Sequence, residues 1–191
     1  MNLPNKLTLA RVFLVPVFMV FAALAHYGQA NFNPTLSLVA GLVFSVASFT
    51  DFLDGYLARK HHWVTDFGKF ADPLADKMLT TAAFCYMLVD GVCSPVVLAV
   101  VMFREFAVAG VRMVAAESGT VIAANMWGKI KTVLQMLTII FYYFAAALSP
   151  VDGIAGVSLI TQGLCWAVAV VTVISGTIYL WDNRACFVQA K

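Results

Sequence analysis

The chain has 191 residues, of which 62% are hydrophobic and 12% are charged, and its formal net charge is +2. Soluble domains carry about 25% charged residues, so this composition excludes an ordinary soluble domain and predicts an all-α integral membrane protein with one domain, residues 1–191. The cysteines show no CxxC spacing and are predicted to be apolar packing residues in a reduced setting, neither bridges nor metal ligands. They are Cys85, Cys93, Cys165 and Cys186.

Six apolar segments follow one another and predict six transmembrane helices. Their expected ranges are roughly 7–26, 34–58, 70–89, 95–117, 127–148 and 157–181. Pro95 suits the first turn of the fourth helix, and residues 59–69 form the one strongly polar connection. The first segment also has a feature of a cleaved signal peptide, because Ala23-Leu24-Ala25 resembles a signal-peptidase site. The apolar spans that follow favour a first membrane helix over that alternative.

The basic residues predict the orientation of these helices. Lys and Arg lie in or near the N-terminus, the 2–3 loop, the 4–5 connection and the C-terminus, whereas the three opposite turns carry only Asp90 and Asp152. Positive residues stay on the cytoplasmic side, so both termini and the 2–3 loop are expected to face the cytoplasm from the inner membrane. Trp63, Trp127 and Trp181 lie near that side and are expected to be interface anchors.

The polar stretch from residue 50 to 77 contains four aspartates in two helical pairs. Asp51 and Asp54 are three residues apart, and Asp72 and Asp76 are four apart, so each pair shares a helix face. If the two helices run antiparallel, the four carboxylates meet. Each carboxylate in a bilayer costs about 3 kcal/mol, and two divalent cations would cancel the four charges. Hard oxygen ligands suit Mg²⁺ or Mn²⁺, and a two-metal site is a common device for phosphoryl transfer.

The residues around the aspartates follow a longer pattern. It runs Asp51-x-x-Asp54-Gly55-x-x-Ala58-Arg59, then eight residues, Gly68, three residues, Asp72, three residues and Asp76. This run resembles the signature of the CDP-alcohol phosphotransferase family at every position. The resemblance implies that fold with six transmembrane helices, a homodimer, and transfer of a phosphoryl-bearing group from a CDP-linked donor to an alcohol with release of CMP.

The resemblance also implies roles for individual residues. The four aspartates correspond to the ligands of two divalent metals, and Asp76 also to the catalytic general base. Asp66 lies outside the signature and is expected to cap the third helix, although a role at the site is an open alternative. Small residues of the motif let a ligand approach closely, and Arg59 can bind phosphate oxygens. The expected CDP-diacylglycerol-binding residues are Asn5, Thr8, Gly55, Ala58, Arg59, Thr65 and Gly68.

Three further segments narrow the resemblance. Residues 2–11, 104–112 and 128–135 resemble the branch of the family that makes phosphatidylglycerophosphate from CDP-diacylglycerol and glycerol 3-phosphate. A cationic pocket near the metals would hold the acceptor phosphate and direct its hydroxyl. The candidates for this pocket are Arg104, Arg112, Lys129 and Lys131. A structural Arg104–Glu105 pair is an open alternative, as is membrane anchoring by Lys129 and Lys131.

Two other functions fit parts of the sequence. Within the family, the acceptor could be phosphatidylglycerol, inositol phosphate or serine. Outside the family, a cation transporter or proton relay would also place acids within a membrane, but it would spread them along a pathway. The clustering of the acids towards one side, beside an arginine and two glycines, favours the enzyme.

Overall fold

A computed structural model of the chain describes the backbone of residues 3–25, 32–61, 66–117, 122, 125–149 and 154–184. It describes the side chains of residues 9–25, 32–50, 77–115, 122, 125–149 and 156–184. Within these ranges the secondary structure is entirely helical, which confirms the predicted all-α class. The six helices are α1 (Leu3–Ala25), α2 (Pro34–His61), α3 (Asp66–Val89), α4 (Pro95–Glu117), α5 (Met126–Leu148) and α6 (Ile154–Asp182).

Four boundaries differ from the prediction by three or four residues: the starts of α1, α3 and α6 and the end of α2. The second helix continues to His61 and the third begins at Asp66, so residues 59–61 and 66–69 are helical rather than a loop. Arg and Lys are good helix formers, so the helix outlasts the apolar run by which its end was predicted. An acidic residue at the start of α3 also suits the positive end of the helix dipole. Residues 62–65, between the two helices, lie outside the described residues.

The predicted turn between the third and fourth helices is confirmed. Asp90 and Gly91 follow α3, and Gly91 has a φ of 75°, a left-handed conformation that glycine adopts without strain. The backbone N–H groups of Val92 and Cys93 both donate to the Met87 carbonyl oxygen, at 3.0 and 3.1 Å. These bonds satisfy the end of α3 and let α4 begin at Pro95, as predicted.

The helices pack in a ring. The first helix packs against α2 and α3, α2 packs against α5, α5 against α6, and α6 against α4, while a smaller contact between α4 and α3 closes the circle. Helix α6 therefore lies between the two helices, α4 and α5, that carry the predicted acceptor-binding residues. Helix α1 touches both helices that carry the aspartates.

An aromatic cluster ties four of these helices together around Phe18 of α1, which is fully buried. Its ring makes edge-to-face contacts with Phe44 on α2 (5.8 Å between ring centroids), Tyr86 on α3 (6.4 Å) and Tyr143 on α5 (5.4 Å). Such pairs stabilise a structure by about 0.5–1.5 kcal/mol each beyond the burial of their area. This cluster, with the apolar residues around it, forms the core of the bundle.

The cysteine prediction holds for two positions and fails for one. Cys93 and Cys165 are buried in the apolar core, whereas Cys85 is exposed on α3 and does not pack inside the chain. Cys186 lies outside the described residues. Because Cys85 lies on the outward face of its helix, its apolar character suits a lipid-facing position as well as a core.

Two stretches in the described part of the chain are long and apolar enough to cross a membrane, Met126–Leu148 and Gly156–Asp182. The apolar stretches found in α1, α2 and α3 are shorter. Length and composition thus support a membrane protein, and six crossings stay a prediction.

Gly41 provides a test of the packing between α2 and α5. A Cβ atom at this position would lie 3.0 Å from Tyr143 Cβ and 3.2 Å from Phe144 Cε2, closer than side chains normally pack. We expect Gly41→Ala to destabilise the protein by about 1–3 kcal/mol through overpacking. The measurement is the midpoint of thermal unfolding in one detergent.

Gly163 on α6 supplies the matched control, because a Cβ atom there would meet nothing within 4 Å. Gly163→Ala should leave the midpoint unchanged or raise it, since alanine favours helix by up to about 1 kcal/mol over glycine. Equal midpoints for the two variants would contradict the close approach of α2 and α5.

Candidate active site

The helices place the four motif aspartates as the sequence spacing requires. Asp51 and Asp54 lie within α2, Asp72 and Asp76 lie within α3, and both helices continue unbroken through these positions. Each pair therefore shares one helix face. Their side chains lie outside the described residues, so the meeting of the four carboxylates stays a prediction.

The predicted donor-binding residues also lie outside the described side chains. Their backbone is helical, in α1 for Asn5 and Thr8, in α2 for Gly55, Ala58 and Arg59, and in α3 for Gly68. Thr65 lies in the gap between α2 and α3, outside the described residues altogether. The roles given to these residues by the family signature therefore stay predictions.

The predicted acceptor side is described in full, and it centres on Glu105 of α4. Lys131 Nζ on α5 donates to Glu105 Oε1 at 2.6 Å, and Arg104 Nη1 donates to the same oxygen at 3.0 Å. Lys77 Nζ on α3 lies 3.8 Å from Glu105 Oε2. Three helices thus bring three cations to one carboxylate, so these four residues taken by themselves carry two more positive charges than negative ones. We call these four residues the Glu105 cluster.

The charged side chains of the Glu105 cluster are largely buried, which strengthens the hydrogen bonds between them. The Lys131 side chain is 4% exposed, that of Arg104 12% and that of Glu105 20%. A buried charge must be paired, and charge-assisted hydrogen bonds are about twice as strong as neutral ones. The burial of Lys131 contradicts the alternative that it is a simple membrane anchor, because an anchor extends its charge into the headgroup region.

Arg104 is held from a second side by α6. Its Nη2 donates to Ser175 Oγ at 2.8 Å. An added Cβ atom at Gly176 would lie 3.0 Å from Arg104 Cγ, and one at Gly128 on α5 would lie 3.1 Å from Arg104 Nη2. Arg104 also lines a cavity of about 380 Å³ between α4 and α6. Two buried atoms of its lining residues, Thr172 Oγ1 and Arg104 Nε, have no hydrogen-bond partner in the part of the chain that the structure describes.

The other two predicted acceptor residues are placed differently. Arg112 Nε donates to Tyr179 OH on α6 at 3.2 Å, and its guanidinium lies 5.7 Å from the centre of the Tyr179 ring. Arg112 is two turns beyond Arg104, about 12 Å along the helix axis. Lys129 is exposed and makes no side-chain ion pair or hydrogen bond among the described residues. The structure therefore brings Arg104 and Lys131 together but joins neither Arg112 nor Lys129 to them.

Comparison with known proteins assigns the chain to a family. A family model described as CDP-alcohol phosphatidyltransferase matches residues 1–175. The chain belongs to this family. The match confirms the family that the motif predicted. Membership of this family identifies the protein as a membrane-associated transferase. The matched region contains α1 to α5 and most of α6.

Several relatives of this CDP-alcohol phosphatidyltransferase share one name, CDP-diacylglycerol–glycerol-3-phosphate 3-phosphatidyltransferase. The relative from Bacillus subtilis is 46% identical over 143 residues, covering 72% of this chain and 74% of its own length. The relative from Rickettsia felis is 35% identical over 185 residues, covering 97% and 95%. The relative from Haemophilus influenzae is 38% identical over 144 residues, covering 72% and 73%.

CDP-alcohol phosphatidyltransferases use divalent metal ions. The described side chains contain no group of three or more possible metal ligands. The side chains of the four motif aspartates lie outside the described part of the chain. The chemistry of the motif fits hard divalent ions, because two continuous helices carry four carboxylates at spacings of three and four residues. Asp51, Asp54, Asp72 and Asp76 are accordingly the residues that would hold the ions.

Sequence reasoning missed the residues that surround Arg104. Glu105 was noted only as a possible structural partner of Arg104, and Lys77 was not assigned to the site, although both follow a proposed site residue directly in the chain. Ser175, Gly176 and Tyr179 were not singled out, because small and aromatic residues are ordinary in an apolar helix. Ser175 is 71 residues from its partner, so no local spacing could have joined the two.

The Glu105 cluster leads to a prediction for stability. Lys131→Met should lower the midpoint of thermal unfolding, because it removes the shortest charged hydrogen bond to a partly buried carboxylate, a loss of about 1.5–3 kcal/mol. Lys129→Met removes an exposed lysine two residues away and should leave the midpoint unchanged. Equal effects of the two changes would contradict a structural ion pair at Lys131.

Proposed function

We propose that the protein transfers the phosphatidyl group of CDP-diacylglycerol to glycerol 3-phosphate, giving phosphatidylglycerophosphate and CMP. The observation that carries this proposal is the Glu105 cluster, whose two excess positive charges match a phosphate dianion. The cluster belongs to a chain that resembles, over most of its length, relatives named for this reaction. A serine acceptor would bring no phosphate to such a pocket.

The acceptor pocket is formed around Arg104 and Lys131, whereas Arg112, which is bonded to Tyr179, and the exposed Lys129 lie apart from it. Arg104 carries five N–H donors and uses two of them on Glu105 and Ser175, so three remain for phosphate oxygens. The pocket lies beside the helix of the proposed base, because Lys77 of the Glu105 cluster follows Asp76 directly on α3. A phosphate held there would leave its glycerol end free to reach towards that helix.

The donor lies with its acyl chains in the bilayer and its pyrophosphate at the aspartates. Two Mg²⁺ or Mn²⁺ ions, when bound there, would neutralise the pyrophosphate oxygens and the CMP leaving group. The small motif residues admit the nucleotide closely, and Arg59 contributes a guanidinium to its phosphates. The donor-binding set is Asn5, Thr8, Gly55, Ala58, Arg59, Thr65 and Gly68.

In the chemical step, the Asp76 carboxylate takes the proton from the primary hydroxyl of glycerol 3-phosphate. The hydroxyl oxygen then forms a bond to the phosphorus that carries the diacylglycerol, and the bond from that phosphorus to the bridging oxygen breaks. CMP leaves with the bridging oxygen. Asp76 acts by its proximity to the hydroxyl, which the cationic pocket directs towards it.

The reaction takes place at the inner membrane, which six helices cross with both termini in the cytoplasm. The shortest helices have 23 residues, about 34 Å, which exceeds the apolar thickness of a bilayer of about 30 Å. Large exposed apolar side chains such as Phe103 and Leu159 support contact with lipid, and exposed Trp127 and Trp181 at helix ends suit the cytoplasmic interface. The proposed working form is a homodimer, which the family resemblance implies.

An acceptor comparison tests the function. The purified full-length protein, with CDP-diacylglycerol and Mg²⁺ in mixed micelles, should release CMP with glycerol 3-phosphate as acceptor. Phosphatidylglycerol, inositol phosphate and serine should each give little release, because none offers both a small dianionic phosphate and a primary hydroxyl at the right distance. Faster release with one of these three would replace the proposed acceptor, and no release with any acceptor would contradict the proposed reaction.

Asp76→Asn tests the base. We expect kcat to fall by a factor of about 10² to 10⁴, because general-base assistance is lost while the side chain keeps its size. The folded protein and its binding of CDP should be largely intact, which thermal unfolding and a CDP-binding assay would check. Asp182→Asn, at the exposed end of α6, makes the same chemical change away from the site and should leave kcat unchanged. A near-normal kcat for Asp76→Asn would remove Asp76 from this role.

A further inference from the structure

Arg104 is enclosed by two glycines and a serine, which fix its path across the bundle. The aliphatic part of its side chain passes Gly176, since a Cβ atom there would lie only 3.0 Å from Arg104 Cγ. Its Nη2 lies close to the backbone of Gly128 and bonds to Ser175 Oγ at 2.8 Å. The side chain therefore reaches from α4 across α6 to the start of α5.

A side chain at either glycine would press on the arginine. At Gly128 the contact is with Nη2, the end of the flexible Arg104 side chain, whereas at Gly176 it is with Cγ, which is close to the backbone of α4 and has less freedom to move. A Cβ atom at Gly176 would therefore require Arg104 or the helices to shift by a few tenths of an ångström. The absence of a side chain at Gly176 is thus a requirement of this arginine conformation, beyond any general benefit of close helix packing.

The fixed conformation determines which donors remain for a ligand. Ser175 and Glu105 each take one N–H group of Arg104, from opposite ends of the guanidinium. This pairing leaves Nε, which is buried without a partner among the described residues, and one further N–H on each terminal nitrogen. A guanidinium that was free to rotate would offer the same number of N–H donors, but it would not hold them in a fixed direction to bind two phosphate oxygens at once.

We infer that Ser175 and Gly176 of α6 are positioning residues of the acceptor site, which hold the Arg104 guanidinium in the orientation that binds the phosphate of glycerol 3-phosphate. This inference rests on the proposed function. It brings into the site a helix that carries neither the aspartate motif nor any predicted acceptor residue. Neither residue touches the substrate, and both act through Arg104.

Steady-state kinetics of CMP release by the full-length protein test the inference. Ser175→Ala removes one hydrogen bond to a cation and should raise the KM for glycerol 3-phosphate about five- to tenfold, with the KM for CDP-diacylglycerol within about twofold of the original. Gly176→Ala should act in the same direction by displacing Arg104. If Gly176→Ala fails to fold, Ser175→Ala still decides the outcome, because it adds no atoms.

Two controls on the same helix make the same chemical changes away from Arg104. Ser158→Ala alters a serine whose hydroxyl contacts only Gln162, and Gly163→Ala places a methyl group in open space. Both should leave the two KM values unchanged. If they raise the acceptor KM as much as the changes at 175 and 176 do, the effect is a general property of α6 and the inference is wrong.

A double-variant cycle separates positioning from a merely structural role. Arg104→Ala alone should raise the acceptor KM more than the donor KM. Adding Ser175→Ala to Arg104→Ala should cause no further rise, because the serine then has no arginine to orient. A full additional rise in the double variant would overturn the inference.

The failure of the inference can be distinguished from that of the proposed function. If the unaltered protein does not use glycerol 3-phosphate, the function is wrong and the inference falls with it. If Arg104→Ala leaves the acceptor KM unchanged, the pocket assignment is wrong and so is the inference. If Arg104→Ala raises that KM but Ser175→Ala and Gly176→Ala do not, the function and the pocket stand and only the inference is overturned.

Discussion

The contact on which the polar half of the bundle depends is the one between Glu105 and Lys131. The two charged groups come from different helices and meet where little water reaches, at 2.6 Å. In such surroundings an unpaired charge costs several kcal/mol, so each residue stabilises the other chiefly by removing that penalty. Arg104 and Lys77 then join the same carboxylate. The position of α4 relative to α3 and α5 is thereby set by charge as well as by shape.

In the other half of the bundle, apolar packing determines the positions of the helices. The aromatic cluster around Phe18 and the buried Val92 and Cys93 of the turn at 90–94 belong to one core, which holds α1, α2, α3 and α5 together. Tyr142 joins this core to the turn by donating to Asp90 Oδ2 at 2.6 Å. The division gives the enzyme a rigid apolar end and a polar end in which cations and acids can be held at fixed places. Catalysis by positioning requires both.

Much of this could be predicted from the sequence. Apolar runs separated by short turns indicated the helices, and the start of α4 at Pro95 was right because proline fits a first helical turn. The aspartate motif predicted the family through its resemblance to the family signature at every position, and the family match confirms that prediction. The end of α2 and the start of α3 were misjudged because hydropathy marks the limits of an apolar run and not those of a helix. The supports of Arg104 could not be predicted, because a hydroxyl and a glycine become informative only once α6 lies beside α4.

The adjacency of Arg104 and Glu105 has a consequence for how the protein is made. In the proposed six-helix topology, helices enter the membrane in the order of synthesis, so α4 would be inserted before α5 and α6 supply Lys131 and Ser175. A lone arginine near the middle of a nascent helix adds about 2.5–3.5 kcal/mol to the cost of its insertion. Because Glu105 follows Arg104 directly and lies within hydrogen-bond distance at 3.0 Å, the two residues can enter the membrane as a neutral ion pair. When α5 and α6 follow, Lys131 can bind the Glu105 carboxylate and Ser175 can accept a hydrogen bond from Arg104. The pair that would lower the cost of inserting α4 is then also the point at which α4 binds α5 and α6.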